Sequence, residues 1–188
     1  MESKPLEKVA NEYFASLQGL MPKIDLAALG RIVEQLRLAR ERGSTIFVMG
    51  NGGSAATAAH FANDLGKATK QTGACFRIIS LADNVAWLTA LGNDEGYERI
   101  FEGQLENFVQ PGDVVIGLSA SGNSKNVLRA VGLARSRGAL TIGLTGFDGG
   151  KLKNEVDQSL HIPTEQGRYM LVEDLHMIVL NIITSCFL

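Results

Sequence analysis

Apolar residues recur at a spacing near 3.6 from Leu6 to Leu20 and again from Leu26 to Arg40, which predicts two amphipathic helices at the start of the chain. Asp25 is placed to cap the second of them and Gly43 to close it. The pattern then changes. Thr45 to Met49, Cys75 to Leu81, Asp113 to Leu118, Leu140 to Thr145 and Gln158 to Ile162 are short runs rich in Val, Ile, Leu and Phe with little alternation. Such runs suit strands covered on both faces. Helical stretches separate them: Ser54 to Thr69, a region from Asn84 to Val109 with a break expected near Gly92, and Ser124 to Arg137. The alternation predicts an α/β fold, a doubly wound parallel five-stranded sheet between helix layers with an N-terminal helical extension. No solenoid-type repeat and no Pro- or Ser-rich linker divides the chain, so residues 1–188 read as a single domain, helical over 1–43 and an α/β sandwich over 44–188.

The last predicted helix, from Met170 to Leu188, is apolar on most of its sides, more than one sheet face would cover. Packing against the two N-terminal helices of the same chain would bury the remainder. A helical bundle shared between subunits would do so as well, and the expectation is a homo-oligomer. Glu173, Asp174, His176 and Asn181 interrupt this segment, which reads as a buried helix rather than a membrane span.

Composition narrows the function classes. A hydrophobic share of 45% over 188 residues is ample for a core, and the formal net charge of -2 comes from scattered acids and bases. Bulk attraction to nucleic acid or to an anionic membrane is not expected. Cys75 and Cys186 are the only cysteines and lie outside any metal-type spacing, which argues against a disulfide framework or a zinc finger. The start, Met1 to Leu6, lacks the basic and then apolar pattern of a signal peptide. A reducing, cytoplasmic setting is the expectation.

Two loops carry the candidate chemistry. Gly50-Asn51-Gly52-Gly53-Ser54 follows the first predicted strand, and Ser119-Ala120-Ser121-Gly122-Asn123-Ser124 follows the third. Glycines let backbone approach an anion, hydroxyls donate to it, and the helix that follows offers unpaired N–H groups. Tight strand-to-helix turns need glycine in any α/β protein, so the first loop alone is even between structure and binding. Gly50, Gly52 and Ala55 also fit the dinucleotide pattern, but no acid stands at Gly73 to Arg77 to hold a ribose. Three serines within six residues exceed what a structural turn requires, and two such loops suggest one phosphorylated ligand held where strand ends meet.

These loops, together with His60-Phe61-Ala62, Gly92-Asn93-Asp94, Gly112-Asp113-Val114, Leu144-Thr145-Gly146 and Asp148-Gly149-Gly150-Lys151, resemble the SIS (sugar isomerase) domain family, in particular its phosphoheptose isomerase subgroup. The resemblance extends over nearly the whole chain. It implies a tetramer with sites between subunits and conversion of sedoheptulose 7-phosphate to a heptose 7-phosphate. It also implies ligand contacts from Asn51, Gly52, Gly53, Ser54, Asp94, Ser119, Ala120, Ser121 and Ser124. His60, Asp64 and Glu173 become the candidate catalytic groups. The same three imply a place for zinc or another divalent ion, with no cofactor made obligatory; one nitrogen and two carboxylates are donors such an ion accepts.

The resemblance breaks at three positions. Asp64 stands where active members carry glutamate, Glu173 where they carry glutamine, and Asn181 where they carry a catalytic histidine. Asparagine does not titrate near neutral pH and cannot be the general acid. The readings are therefore an aldose–ketose isomerase working through an enediol, with Asp64 or Glu173 as base, and a phosphosugar-binding module without turnover, similar to the SIS proteins that bind the bacterial replication initiator. The surviving carboxylates put the isomerase first. A dinucleotide enzyme is third, weakened by the missing ribose acid.

Overall fold

The computed structural model describes residues 5–188; Met1 to Lys4, which fall within the segment read for a leader, lie outside the described residues. Helices α1 (Leu6–Leu20) and α2 (Leu26–Arg42) come first. The cap expected for α2 is present: Asp25 Oδ1 accepts from the Ala27 and Ala28 backbone N–H groups, each at 2.9 Å, and Gly43 ends the helix at a φ of 68°.

Five strands follow: β1 (Thr45–Gly50), β2 (Arg77–Ser80), β3 (Val114–Ser119), β4 (Leu140–Thr145) and β5 (Gln158–His161). All neighbours pair in parallel, in the order β2-β1-β3-β4-β5. The helices between and after them are α3 (Gly53–Asn63), α4 (Val85–Asp94), α5 (Glu102–Phe108), α6 (Lys125–Ser136), the single turn α7 (Leu152–Glu155) and α8 (Tyr169–Ser185). Alternate residues of the central strands feed opposite cores. Ile46, Val48, Val114 and Ile116 pack with α2, α3 and α8, whereas Phe47, Met49 and Val115 pack with α5 and α6. The expected doubly wound sandwich is observed.

Four details differ from the sequence expectation. The stretch from Ser54 to Thr69 is α3 followed by a π turn over Asp64–Ala68, where the hydrogen bonds lengthen from i→i+4 to i→i+5. The break within Asn84 to Val109 falls at Gly96, whose φ of 97° cannot continue a helix; Gly92 lies inside α4. The single turn α7 was not expected. Strand β2 is not covered on both faces: as an edge strand it leaves Ile79 48% exposed.

The two leading helices part company. α2 buries Ala28, Leu29, Ile32, Leu36 and Ala39 in the sandwich core. α1 buries none of its residues, leaving Leu6 81% and Phe14 59% exposed. It is held to α8 by the Tyr13 hydroxyl, which donates to Asp174 Oδ2 at 2.6 Å. Burial and this carboxylate together push the Tyr13 hydroxyl up to about 12.

Candidate functional site

The strand order reverses between β1 and β3, and in open parallel sheets the crevice beyond that switch point is where ligands settle. Gly50 pairs with Leu118 across it, so the first loop starts beside Ser119 and the two loops predicted to bind anions are neighbours. They open into one cavity of about 160 Å³, walled by Asn51, Ser54, Ser119, Ala120, Ser121 and Ser124, with Tyr169 and Glu173 contributed by α8. Two roomier hollows lie elsewhere, about 510 Å³ between α1 and the segment before α8 and about 620 Å³ along β2. The second carries the amides of Asn63, Asn84 and Gln104 but only one serine, Ser80, and the first only one, Ser16; neither gathers several serines.

The serine loop is shaped by its glycines. Gly122 has a φ of 63°, and a Cβ there would run into the Gly149 carbonyl. That contact ties the loop to the Asp148-Gly149-Gly150 turn, and Gly122 O in turn accepts from Leu152 N at 2.9 Å. Within the loop, Ser119 Oγ and Ser124 Oγ lie 3.0 Å apart, and Ser121 Oγ accepts from Asn123 N at 3.2 Å. The hydroxyls are thus gathered before any ligand arrives.

Glu173 occupies the opposite wall. Its carboxylate lies directly against Gly53, the first residue of α3, where a Cβ would collide with it. A helix N-terminus suits a carboxylate. Burial, and then repulsion from Asp174, raise the Glu173 carboxyl above the ordinary glutamate range, which makes it a better base.

Asn51 is anchored more firmly than the sequence foretold. Its amide exchanges hydrogen bonds with Asn126 at 2.9 and 2.8 Å, and its Oδ1 also accepts from the Tyr97 hydroxyl at 2.9 Å. Sequence reasoning missed Tyr97, Asn126 and Tyr169. Asn51 is 46 residues from Tyr97 and 75 from Asn126, and no local signal joins such positions.

The remaining candidates are not in this cavity. Asp94 lies exposed at the end of α4, its carboxylate taken by Asn93 Nδ2 at 2.7 Å. His60 Nε2 and Asp64 Oδ2 pair at 2.9 Å on a half-exposed face of α3. At 1.5 Å of rise per residue, His60 is roughly 10 Å and Asp64 roughly 16 Å along the helix from Gly53 and its Glu173 neighbour. That spacing explains why, among the described residues, no three His, Cys, Asp or Glu side chains stand together as metal ligands. Within a single chain His60 and Asp64 therefore stand apart from Glu173.

His176, a further histidine of α8, is buried with neither ring nitrogen partnered. Burial lowers it to about 4, so the ring is neutral at physiological pH.

Comparison with known proteins agrees with this architecture. The SIS domain model matches residues 12–146. The phosphoheptose isomerase of Geobacter metallireducens is 40% identical over 164 residues, 87% of this chain and 83% of the relative. Solved phosphoheptose isomerases from Neisseria gonorrhoeae and Francisella tularensis superpose with TM-scores of 0.88 and 0.90 at 29% and 26% identity. The first match covers 97% of this chain and 98% of that one, the second 98% of each. With its sheet order, its two loops and these likenesses in agreement, the chain belongs to the SIS domain family and falls among its phosphoheptose isomerases.

Proposed function

We propose that the protein is an aldose–ketose isomerase acting on sedoheptulose 7-phosphate. The observation that carries the reading is the union of both glycine-and-hydroxyl loops with the Glu173 carboxylate in one cavity at the switch point. Ser119, Ser121 and Ser124, with the α6 N-terminus behind them, are assigned to the phosphate. At about 160 Å³ the cavity is below the usual range for a whole small ligand. The sugar must therefore extend past Asn51, which also borders adjoining hollows of about 400 and 360 Å³.

In the reaction a base removes a proton from C1, next to the C2 carbonyl, whose oxygen gains a proton to give the enediol. The O1 proton then leaves as the C1 carbonyl forms, and a proton returns to C2. No electron leaves the sugar. Glu173 is the base this reading assigns, because its carboxyl is raised and lines the cavity. Asp64, paired with His60, is the second carboxylate, and replacing each by its amide separates the two.

Assembly belongs to the same reading. The uncovered apolar side of α1 supports packing against further copies of the chain, as in the tetramer that the resemblance implies. A cytoplasmic location is included too: both cysteines stand free, and among the described residues no helix is long and apolar enough to cross a membrane.

The test is incubation with sedoheptulose 7-phosphate in deuterated water followed by NMR. Deuterium at C1 or C2 establishes the enediol. A sugar that binds and stays unlabelled would replace this reading with a binding module.

A further inference from the structure

We propose that Tyr97 and Asn126 are positioning residues that lock the Asn51 amide so that it offers the ligand only a hydrogen-bond donor, aimed at an acceptor oxygen of the sugar next to its phosphate. The proposal rests on the phosphosugar reading of the cavity and adds two residues outside its wall: Tyr97, which borders both adjoining hollows, and Asn126, which borders one.

The orientation follows from one backbone group. Val127 N donates to Asn126 Oδ1 at 3.0 Å, and a backbone N–H has no other role, so the oxygen end of Asn126 is fixed. The group facing the same oxygen at 2.9 Å must also donate, which makes it Asn51 Nδ2. Asn51 Oδ1 is then the atom that receives Asn126 Nδ2 at 2.8 Å and the Tyr97 hydroxyl at 2.9 Å. Both lone pairs of that oxygen are used. One Nδ2 hydrogen goes to Asn126, and the other has no partner among the described residues. Asn51 therefore cannot accept from a ligand without breaking this network; it can only donate.

Burial and location give this preset donor its use. Asn126 is 2% exposed at the start of α6, so flipping its amide would set the backbone N–H of Val127 against an amide NH2. Tyr97, in the short helical turn Tyr97–Arg99, is 64% exposed and contributes its hydroxyl rather than core packing. Asn51 borders the serine-lined cavity and both adjoining hollows, which puts its side-chain amide beside the path the proposal gives to the sugar portion that leaves the phosphate. A donor held there fixes the sugar relative to its phosphate anchor and so orients the distant C1 and C2 for proton transfer.

The experiment combines NMR of the Asn51 side-chain amide with a double-mutant cycle. In the ligand-free protein one Asn51 Nδ2 proton should exchange slowly and the other quickly, and Tyr97→Phe should shift the pair without changing the melting temperature. Two equally fast protons would overturn the proposal whether or not any sugar is turned over. With sedoheptulose 7-phosphate, Tyr97→Phe should lower kcat/KM about 5–10-fold, the weight of one neutral hydrogen bond, while affinity for inorganic phosphate holds within about twofold. In an Asn51→Ala background the same change should cost nothing further. An equal loss in both backgrounds would also overturn it. If the unmodified protein exchanges no substrate hydrogen, the isomerase reading fails separately and the amide spectrum alone decides this one.

Discussion

Lowering the pH should weaken the fold through a single buried ring. His176 lies within α8 with no well-formed hydrogen bond to either nitrogen among the described residues; burial lowers it to about 4, the nearby Thr145 carbonyl opposing and His161 adding to the shift. His161 is itself lowered by burial and Lys153 and partly raised by Asp148 and a Thr145 hydrogen bond. A depressed histidine is neutral in the folded protein, whereas in the unfolded chain it takes up a proton near pH 6.5. Its contribution is therefore intact above about pH 6.5 and is lost as the pH falls toward 4. Over that window of about 2.5 units, at about 1.4 kcal/mol per unit, the loss reaches about 3 kcal/mol, with about 2 kcal/mol gone by pH 5. Against a total of about 5–15 kcal/mol this is large. Urea denaturation at pH 7.5, 6 and 5, on the unmodified protein and on His176→Leu, isolates the ring because titrating carboxylates and His161 contribute to both. The gap between the two should move by about 2 kcal/mol in favour of the variant between pH 7.5 and 5. Parallel acid losses would refute the assignment of a neutral, unpartnered ring.

Three further outcomes follow from the geometry. Ser121→Ala and Ser124→Ala should each weaken sugar-phosphate binding by about 1–3 kcal/mol in calorimetry, as expected for hydroxyls bonded to a charged phosphate; unchanged affinity in both would remove the loop from the site. Glu173→Gln should abolish deuterium exchange into sedoheptulose 7-phosphate while binding persists, and Asp64→Asn should leave exchange measurable; the reverse pattern would move the base to Asp64. Asp25→Ala should cost about 1 kcal/mol in chemical denaturation by leaving the Ala27 and Ala28 N–H groups uncapped, and no change would mean water serves them equally well.

What the chain reveals of itself depends on how local the cause is. The cap at Asp25, the stop at Gly43 and the five apolar runs act within a few residues, and they are where the sequence places them. The two loops were legible because glycine and serine stand together in each, and their convergence followed from the alternation of strands and helices. The edge position of β2 was not legible, since Ile78 and Ile79 look as apolar as any central strand and only the pairing order leaves Ile79 outside. Nor was the division between α1 and α2, whose apolar spacing is alike. Which of them meets the sheet is decided by the path of the chain. The candidate trio His60, Asp64 and Glu173 came from resemblance, and the rise of α3 keeps the first two away from the third. The amide lock on Asn51 joins three segments far apart in sequence, so no window along the chain contains it.

Glu173 also bears on whether the site turns a substrate over or merely holds it. A phosphate received in this cavity of about 160 Å³ shares it with that carboxylate, and like charges in one small cavity repel. The resemblance puts glutamine, a neutral amide of the same shape, at this position in active members, so a carboxylate here is particular to this chain. The charge therefore lowers affinity unless the group does something an amide cannot, and the one thing a carboxylate adds beside a sugar carbonyl is the ability to take and return a proton. Burial and Asp174 already raise this carboxyl, and an arriving phosphate would raise it further, which strengthens it as a base in the bound complex. The electrostatic cost and the proposed use as a base thus have the same origin, the charge of this one carboxylate.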